Sequence, residues 1–575
     1  MTQRLSEVLW SQSRIYRQAA GFSFITSLLA LAPTVYMLVV YDRVVTSRSI
    51  PTLLMVLLCV IGVYVLMEVL EIVRGRLLQI AGLRIDEMLR EPIHDAAFRH
   101  SLSYGVSTTQ PFTDLRTLRE FISSPVVAAC FDVPSSLIFL IFVFVLSPIL
   151  GVTALIGLAV QFGIGVLTEK KTMPTLTAAN QSAIAAQNYA GGVLRNTEVI
   201  HAMGMQGHLA RRWLALQRKF LSMQAIASDT AGSNTAISKF IQMLQGSLML
   251  AVSCWLTLKG MLLGGGGMMI VASVLGSRVL QPLVTMVSMW RQVVNARDAY
   301  KRLDGFLGEI TAPTKKMPLM KPAGKLSVEG VIASAPQTRQ PIIRGVSFQL
   351  NPGENLLIIG PSAAGKTTLA RLLMGVWPTD SGKVRLDGAD IHAWDKAELG
   401  PHIGYLPQSV ELFDGTLAEN IARFSDIDLE KVRAAIDSVG LTELVKALPQ
   451  GLDTRIGEEG AFLSGGQRQR VGLARAIYGE PNFVLLDEPN SSLDDAGEQA
   501  LMNTLRLLKQ RACTTIVISH RSSVLPAADK ILFMRDGQVT AFGPRDEVLE
   551  ALRKPRSVSV GRADDAPQLA RGGVA

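Results

Sequence analysis

Hydrophobic positions follow two patterns along this chain, and the change comes near its middle. The first half carries long apolar runs at 19–40, 51–73, 133–146, 149–167, 241–258 and 261–283. Set against ~30 Å of bilayer hydrocarbon, these predict six membrane spans. Ser147-Pro148 alone separates the third from the fourth, which fits a tight hairpin on one membrane face. The second half carries short runs instead. Leu356-Leu357-Ile358-Ile359, Phe483-Val484-Leu485-Leu486 and Thr515-Ile516-Val517-Ile518 predict buried strands, while 369–374 and 468–478 predict helices.

Basic residues orient the spans, because short cytoplasmic segments collect Arg and Lys. Arg4, Arg14 and Arg17 precede the first run. Arg74, Arg76, Arg84, Arg90, Arg99, Arg116 and Arg119 lie between the second and third, and Lys170, Lys171, Arg195, Arg211, Arg212, Arg218, Lys219 and Lys239 between the fourth and fifth. Those segments face the cytoplasm. The opposite face has only short loops, holding Asp42, Arg43, Arg48 and Lys259.

Composition agrees: 48% of the 575 residues are hydrophobic, more than a soluble enzyme needs. The net charge of +9 is accounted for by the cytoplasmic segments and a basic tail, so it indicates membrane apposition and not a nucleic-acid partner. Cys59, Cys130, Cys254 and Cys513 lack CxxC spacing, so neither a metal site nor a disulfide is expected. The first run is long, lacks a small-residue cleavage pattern and leads into another run, so it reads as a retained span and not a signal peptide. Pro313, Pro318 and Pro322 with Lys315, Lys316 and Lys321 mark a linker. The expected divisions are a membrane domain at 1–305, a linker at 306–324, a second domain at 325–551 and a disordered tail at 552–575.

The chemistry sits in the second domain. Gly360-Pro361-Ser362-Ala363-Ala364-Gly365-Lys366-Thr367 is a full G-x-x-x-x-G-K-[ST] loop between a strand and a helix. Its backbone N–H groups can turn around phosphate oxygens, the helix N-terminus adds partial positive charge, Lys366 reaches terminal phosphates, and Thr367 can ligate Mg²⁺. Leu463-Ser464-Gly465-Gly466-Gln467 is a second phosphate cradle ahead of a helix. Asp487 ends a buried strand, which suits a carboxylate holding Mg²⁺ through water, and Glu488 follows, placed to orient or deprotonate an attacking water. Gln408 closes Gly404-Tyr405-Leu406-Pro407-Gln408, Asp494 closes Ser491-Ser492-Leu493-Asp494, and His520 follows the last strand.

Any one of these motifs has a structural explanation; six in this order resemble the ATP-binding cassette (ABC) family. There they correspond to the Walker A loop, Q-loop, signature, Walker B with its glutamate, D-loop and switch histidine. The resemblance implies an α-helical membrane domain of six transmembrane helices, the type I ABC exporter fold, fused to an α/β P-loop ATPase domain. It implies catalysis by Glu488, His520 and Gln408. ATP contacts fall to Gly360, Ser362, Ala363, Ala364, Gly365, Lys366, Thr367, Thr368, Asp487, Ser464, Gly465, Gly466, Gln467 and Asp494. Mg²⁺ falls to Thr367, Gln408 and Asp487. Two copies would pair head to tail, with Ser464, Gly465 and Gly466 of one completing the site on Lys366 of the other, so a homodimer is expected and a heterodimer is the alternative. One departure stands out. Where relatives place an aromatic to stack on adenine, Val331-Ile332-Ala333-Ser334-Ala335-Pro336 offers small side chains.

A narrower resemblance covers all but the tail. The stretches 35–44 (VYMLVVYDRV), 275–282 (LGSRVLQP), 296–303 (ARDAYKRL), 360–366 (GPSAAGK) and 373–378 (LMGVWP) look like type I secretion ATPases, of the protease and lipase exporter branch (PrtD-like). About 18 residues precede the first span, so no N-terminal peptidase domain and no leader cleavage are expected. The resemblance implies ATP-driven export of an unfolded polypeptide bearing a C-terminal signal. It places the chain in the bacterial inner membrane among lipids, with a periplasmic adaptor and an outer-membrane channel as partners. A lipid or drug flippase of the same plan stays open, whereas a non-transport ATPase would have a degraded motif set. Arg278 lies within a span, where a guanidinium is costly. It reads either as a wall of the substrate entrance, with Gln161 and Gln281 adding polarity, or as the partner of Glu68, Glu71 or Asp132; Glu71 has Arg74 on its own helix as an alternative.

Overall fold

The computed structural model describes residues 5–104, 108–262, 265–308, 319–335, 340–457 and 462–553. Pro336, most of the expected linker and nearly all of the expected tail lie outside them. The chain forms two compact units, Met1–Ser101 with Val106–Ala312, and Leu102–Gly105 with Pro313–Ala575.

The first unit is helical, with six helices long and apolar enough to cross a membrane. They lie at Ser13–Ser47, Ile50–Leu102, Gln110–Leu146, Pro148–Leu194, Gln206–Leu258 and Gly266–Ser288. Three boundaries differ from expectation. The first span is interrupted: α1 (Ser13–Leu29) gives way to α2 (Ala32–Val39), whose Pro33 lacks the N–H that a continuous helix would need, and a π-helical turn Val40–Val44 follows. The third span, expected from residue 133, begins earlier, as Pro125–Leu146, and takes in Asp132, a charge that ended the apolar run by composition. The sixth, expected from residue 261, begins at Gly265, inside the glycine run 264–267.

The segments expected to face the cytoplasm continue the spans as helix. Residues Ile50–Tyr104 form one helix, α3, about 80 Å long at 1.5 Å per residue. Between α3 and the third span, α4 (Gln110–Ile122) buries Pro111, Asp114, Leu115, Leu118 and Ile122, a helical stripe on an otherwise polar segment. That stripe joins Leu5, Val8, Ile85, Leu89, Ile93 and Leu303 in one core. The span-length helices α5 (Pro125–Leu146), α6 (Pro148–Leu194), α7 (Gln206–Leu258) and α8 (Gly265–Ser288) share a second core around Val143, Ala154, Met249 and Leu275. Small residues permit that packing: a Cβ on Gly157 would stand 2.3 Å from Gln245 Oε1, and one on Gly276 2.5 Å from Met249 Cγ.

The second unit contains two sheets. Strands β1 (Leu326–Ser334), β2 (Pro341–Leu350), β4 (Ser381–Leu386) and β5 (Ala389–Asp390) form an antiparallel sheet in the order β2-β1-β4-β5. The larger runs β10-β9-β3-β8-β7-β6, built from β3 (Asn355–Ile359), β6 (Ile403–Leu406), β7 (Phe483–Asp487), β8 (Thr514–Ile518), β9 (Lys530–Arg535) and β10 (Gln538–Pro544). Strands β9, β3, β8, β7 and β6 are mutually parallel, and β7 and β8 are buried at every position, as continuous apolar runs predict for a covered parallel sheet. Register aligns Ile358, Ile518 and Asp487 across three strands, with Leu406 beside Leu486. One edge of the sheet therefore delivers the residues that follow four neighbouring strands.

Candidate nucleotide site

Strand β3 ends at Ile359 and the Gly360–Thr367 loop turns at once into helix α10 (Lys366–Leu373), counting α9 (Trp290–Gly308) at the end of the first unit. Gly365 caps the helix with φ 91°, and a Cβ there would stand 2.9 Å from Ile343 Cδ1. Ala363 also holds a positive φ of 65°, a conformation that costs a non-glycine residue energy and recurs at ligand clamps. Lys366 Nζ folds back to donate to the carbonyls of Gly360 at 2.8 Å and Pro361 at 2.9 Å. The unpaired N–H groups of the first helical turn, which includes Thr367 and Thr368, make this an anion cradle. Pro361, Ser362 and Ala363 are exposed and Ala364 is buried, so the loop is anchored at its middle and open at its rim.

Beyond the neighbouring strands lies the acid–base cluster. Asp487 is fully buried, and neither carboxylate oxygen accepts a hydrogen bond of ordinary geometry. Burial pushes its carboxyl up to about 6; Glu488 adds to the push, and the Thr367 hydroxyl, Lys366 and Arg371 oppose it. Two orphaned anionic oxygens beside a hydroxyl fit a hard divalent cation. Thr367 and Asp487 would hold Mg²⁺ there, with Gln408 near. Glu488 takes a positive φ of 51°, and its N–H donates to the Ile518 carbonyl at 2.9 Å, which turns its side chain away from the strand. Gln408 Nε2 donates to Glu488 Oε2 at 3.1 Å, and His520 Nδ1 lies 3.6 Å from Glu488 Oε1. The structure thus brings the three expected catalytic residues together, with a carboxylate between an amide and an imidazole.

The second cradle is a capped helix start. Ser464 Oγ accepts from the Gln467 N–H at 3.2 Å while Gln467 Oε1 accepts from the Ser464 N–H at 2.8 Å, a reciprocal box at the N-terminus of α11 (Gly465–Ile477). Gly466 has no room for a Cβ, which would stand 2.8 Å from the Ser492 carbonyl. Asp494 caps α12 (Asp495–Gln510), accepting from the Gly497 N–H at 2.9 Å. Its carboxylate is therefore spoken for within its own chain.

Sequence reasoning missed several supports. Gln469 Nε2 donates to the Glu488 carbonyl at 3.2 Å, tying α11 to the carboxylate. Arg423, at φ 59°, donates to five carbonyls, those of Gly400, Ile403, Arg475, Ala476 and Tyr478, and so clamps the strand before Gln408 to the end of α11. Burial, with Arg475 beside it, draws the Arg423 guanidinium down to about 10. Only Arg371 left a legible signal, as a cation one turn beyond Lys366.

In the membrane unit the expected pairs are rearranged. Glu71 and Asp132 pair with Arg74, at 2.9 and 2.8 Å, and Arg74 also donates to Ser23 Oγ at 3.0 Å. These carboxylates are thus taken, and among the described residues Arg278, half-buried, forms no ion pair with them. Gln161 is fully buried, with neither amide atom partnered, so it lines no open path; the apolar run hid which face of α6 packs inward. Gln281 Oε1 accepts from Gln242 at 2.5 Å. The 296–303 stretch is explained by packing: Arg302 grips Asp114 through two hydrogen bonds of 2.7 and 3.0 Å, Asp298 accepts from Thr177, and Ala299 and Leu303 are buried.

Six spans, a P-loop and a second Gly cradle define an ABC exporter. The sequence pattern of the ABC transporter family matches residues 343–491, and that of the ABC transporter transmembrane region matches residues 19–278. The type I secretion system ATP-binding protein PrsD of Rhizobium meliloti (strain 1021) is 38% identical over 540 residues, 93% of this chain and 92% of that protein. An ATP-dependent lipid A-core flippase of Burkholderia orbicola (strain AU 1054) is 34% identical over 287 residues, 50% of this chain and 48% of that protein. The fold matches that of a bacterial Atm1-family ABC exporter solved with ATP bound, at TM-score 0.81 and 22% identity over 94% of this chain and 96% of that one. The chain belongs to the ABC transporter family, in its type I secretion ATP-binding group: it is a multi-span membrane protein that binds nucleotide and hydrolyses ATP.

Proposed function

We propose that this chain is the ATP-driven inner-membrane exporter of a type I secretion system, moving an unfolded polypeptide with a C-terminal signal out of the cytoplasm. The observation that carries the reading is similarity to a type I secretion ATP-binding protein over nearly the full length of both chains. The flippase likeness is partial, reaching 50% of this chain at 34% identity and 65% at 30% identity. The working form is a homodimer, partnered by a periplasmic adaptor and an outer-membrane channel. Residues 1–305 form its membrane domain, 325–551 its ATPase, 306–324 a linker and 552–575 a tail.

In this reading Gly360–Thr368 cradle the triphosphate and Lys366 swings from its two carbonyls to the terminal phosphates. Thr367, Gln408 and Asp487 would hold Mg²⁺, which would supply charge neutralisation on the phosphates. Glu488 takes the proton of the attacking water, His520 steadies the γ-phosphate end, and Gln408 relays occupancy. Ser464, Gly465 and Gly466 act on the nucleotide bound by the other copy, with Gln467 and Asp494 holding the two helix starts beside them. The test is co-expression with an adaptor and an outer-membrane channel. One-step secretion of a co-encoded protein is expected, lost when that protein's C-terminal segment is deleted. Export of a lipid or drug by this protein alone, without polypeptide cargo, would overturn the reading.

A further inference from the structure

The nucleotide loop leaves one surface of its ligand unaccounted for. A purine ring is apolar on both faces, yet residues 326–336, which precede the loop in the fold, contain no aromatic side chain. Ile332 at 36% exposure is the largest accessible apolar group on β1, flanked by buried Ala333 and half-buried Ser334 and Ala335. One large ring stands unused elsewhere. Phe462 is 83% exposed, the most exposed aromatic among the described residues of the ATPase unit. The adjoining Leu463 and Ser464 fix its position. Leu463 is buried at 6% and anchored in the core, while Phe462 and Ser464 on either side are exposed. Ser464 is extended, with φ −64° and ψ 160°, and its capping box holds it against the helix start. Leu463 turns into the core between two exposed neighbours, so the Phe462 ring and the Ser464 hydroxyl both face solvent at the start of the helix.

We infer that Phe462 supplies the missing base contact across the dimer, packing on the purine of the nucleotide held by the other copy's Lys366 loop. The inference rests on the head-to-tail pairing proposed above. There Ser464 meets the terminal phosphates, and two residues of chain reach at most about 7 Å, to which the Phe462 side chain adds its own length toward the nucleoside end. A solvent-exposed phenyl ring is costly on a free surface, and stacking on a base removes that exposure without demanding base-specific hydrogen bonds. The ligand class is a purine nucleoside triphosphate, in preference to a pyrimidine one.

The test uses full-length protein in lipid nanodiscs, with KM measured for ATP and for CTP. Phe462→Ala should raise KM for ATP about five- to tenfold, leave KM for CTP within about twofold, and lower kcat less than it raises KM. Phe462→Trp should restore the ATP value. In mixed dimers, Phe462→Ala on the copy that also carries Lys366→Ala should weaken ATP binding to the intact loop, and the same change on the intact-loop copy should not. Cross-linking in ATP reports the pairing independently. Cross-linked dimers with an unmoved KM, an equal rise for ATP and CTP, or the reverse pattern in mixed dimers would each overturn the inference and spare the pairing. Absence of dimers would overturn both.

Discussion

At the scale of single residues, the site sets two adjacent carboxylates to different tasks through their surroundings. Asp487 is enclosed and short of partners, whereas Glu488, turned by its positive φ, meets Gln408 and His520. If Glu488 is the base, Glu488→Gln keeps its size and the contact with Gln408 yet removes the proton acceptor. Steady-state ATPase should fall to background while ATP binding persists. Turnover within a few-fold of wild type in reconstituted protein would remove the role. Asp487 gives a prediction with a sign. Its carboxyl is raised to about 6 against an unfolded value near 3.8, so the folded protein holds that proton more tightly than the unfolded chain. The associated stability is fully present below ~3.8 and is lost as pH rises through about 6, a swing of up to about 3 kcal/mol. Metal-free protein should therefore lose melting temperature between pH 4 and 7, and Asp487→Asn should flatten that slope. Magnesium and ATP should raise the melting temperature of the wild type more than that of the variant, which a thermal-shift series in EDTA and in Mg²⁺ checks.

At the scale of elements, what the sequence displayed was local chemistry. The strand Phe483–Asp487 and the Gly360–Thr367 turn were legible because an apolar run and a glycine pattern each dictate backbone over a few residues. Six spans were legible for the same reason, by length and polarity. Partners distant in sequence were not. Arg74 meets Asp132 across 58 positions, and nothing local tells that the guanidinium turns into the bundle instead of toward the cytoplasm. Arg423 was equally opaque, since its five acceptors are backbone carbonyls, which no side-chain pattern reveals. Removing a buried, fully hydrogen-bonded cation strands its acceptors. Arg74→Ala should cost about 3–5 kcal/mol through the uncompensated Asp132, seen as loss of monodisperse protein in detergent, and Arg74→Lys should recover part of it. Arg423→Met leaves carbonyls instead of a charge unpaired, so a smaller loss of about 1–3 kcal/mol is expected, together with weaker coupling of Gln408 to α11. Arg278 now separates cleanly from that cluster. Arg278→Ala should leave assembly and basal ATPase intact and impair export; loss of assembled protein would assign it a structural role instead.

At the scale of the whole molecule, a single chain holds one P-loop and one signature helix, and the chemistry asks how they meet. Within the chain the signature glycines pack against Ser492, and Asp494 is occupied as a helix cap, so this end of α11 is fixed as a rigid N–H cradle facing outward. A helix N-terminus with its first N–H groups unmet favours an anion, and in the proposed pairing that anion is the nucleotide of the second copy. Complementation tests the arrangement without knowledge of cargo. Protein carrying Lys366→Ala lacks a competent loop, and protein carrying Ser464→Arg lacks a competent cradle, so each alone should fail to hydrolyse ATP. Co-expressed and purified through two different tags, the mixed dimer contains one site with both defects and one with neither. Head-to-tail pairing therefore predicts that hydrolysis returns in the mixed dimer at a fraction of wild-type turnover. A site completed within each chain predicts no recovery in any mixture, because every copy then carries its own defect, and that outcome would remove the dimer from the mechanism.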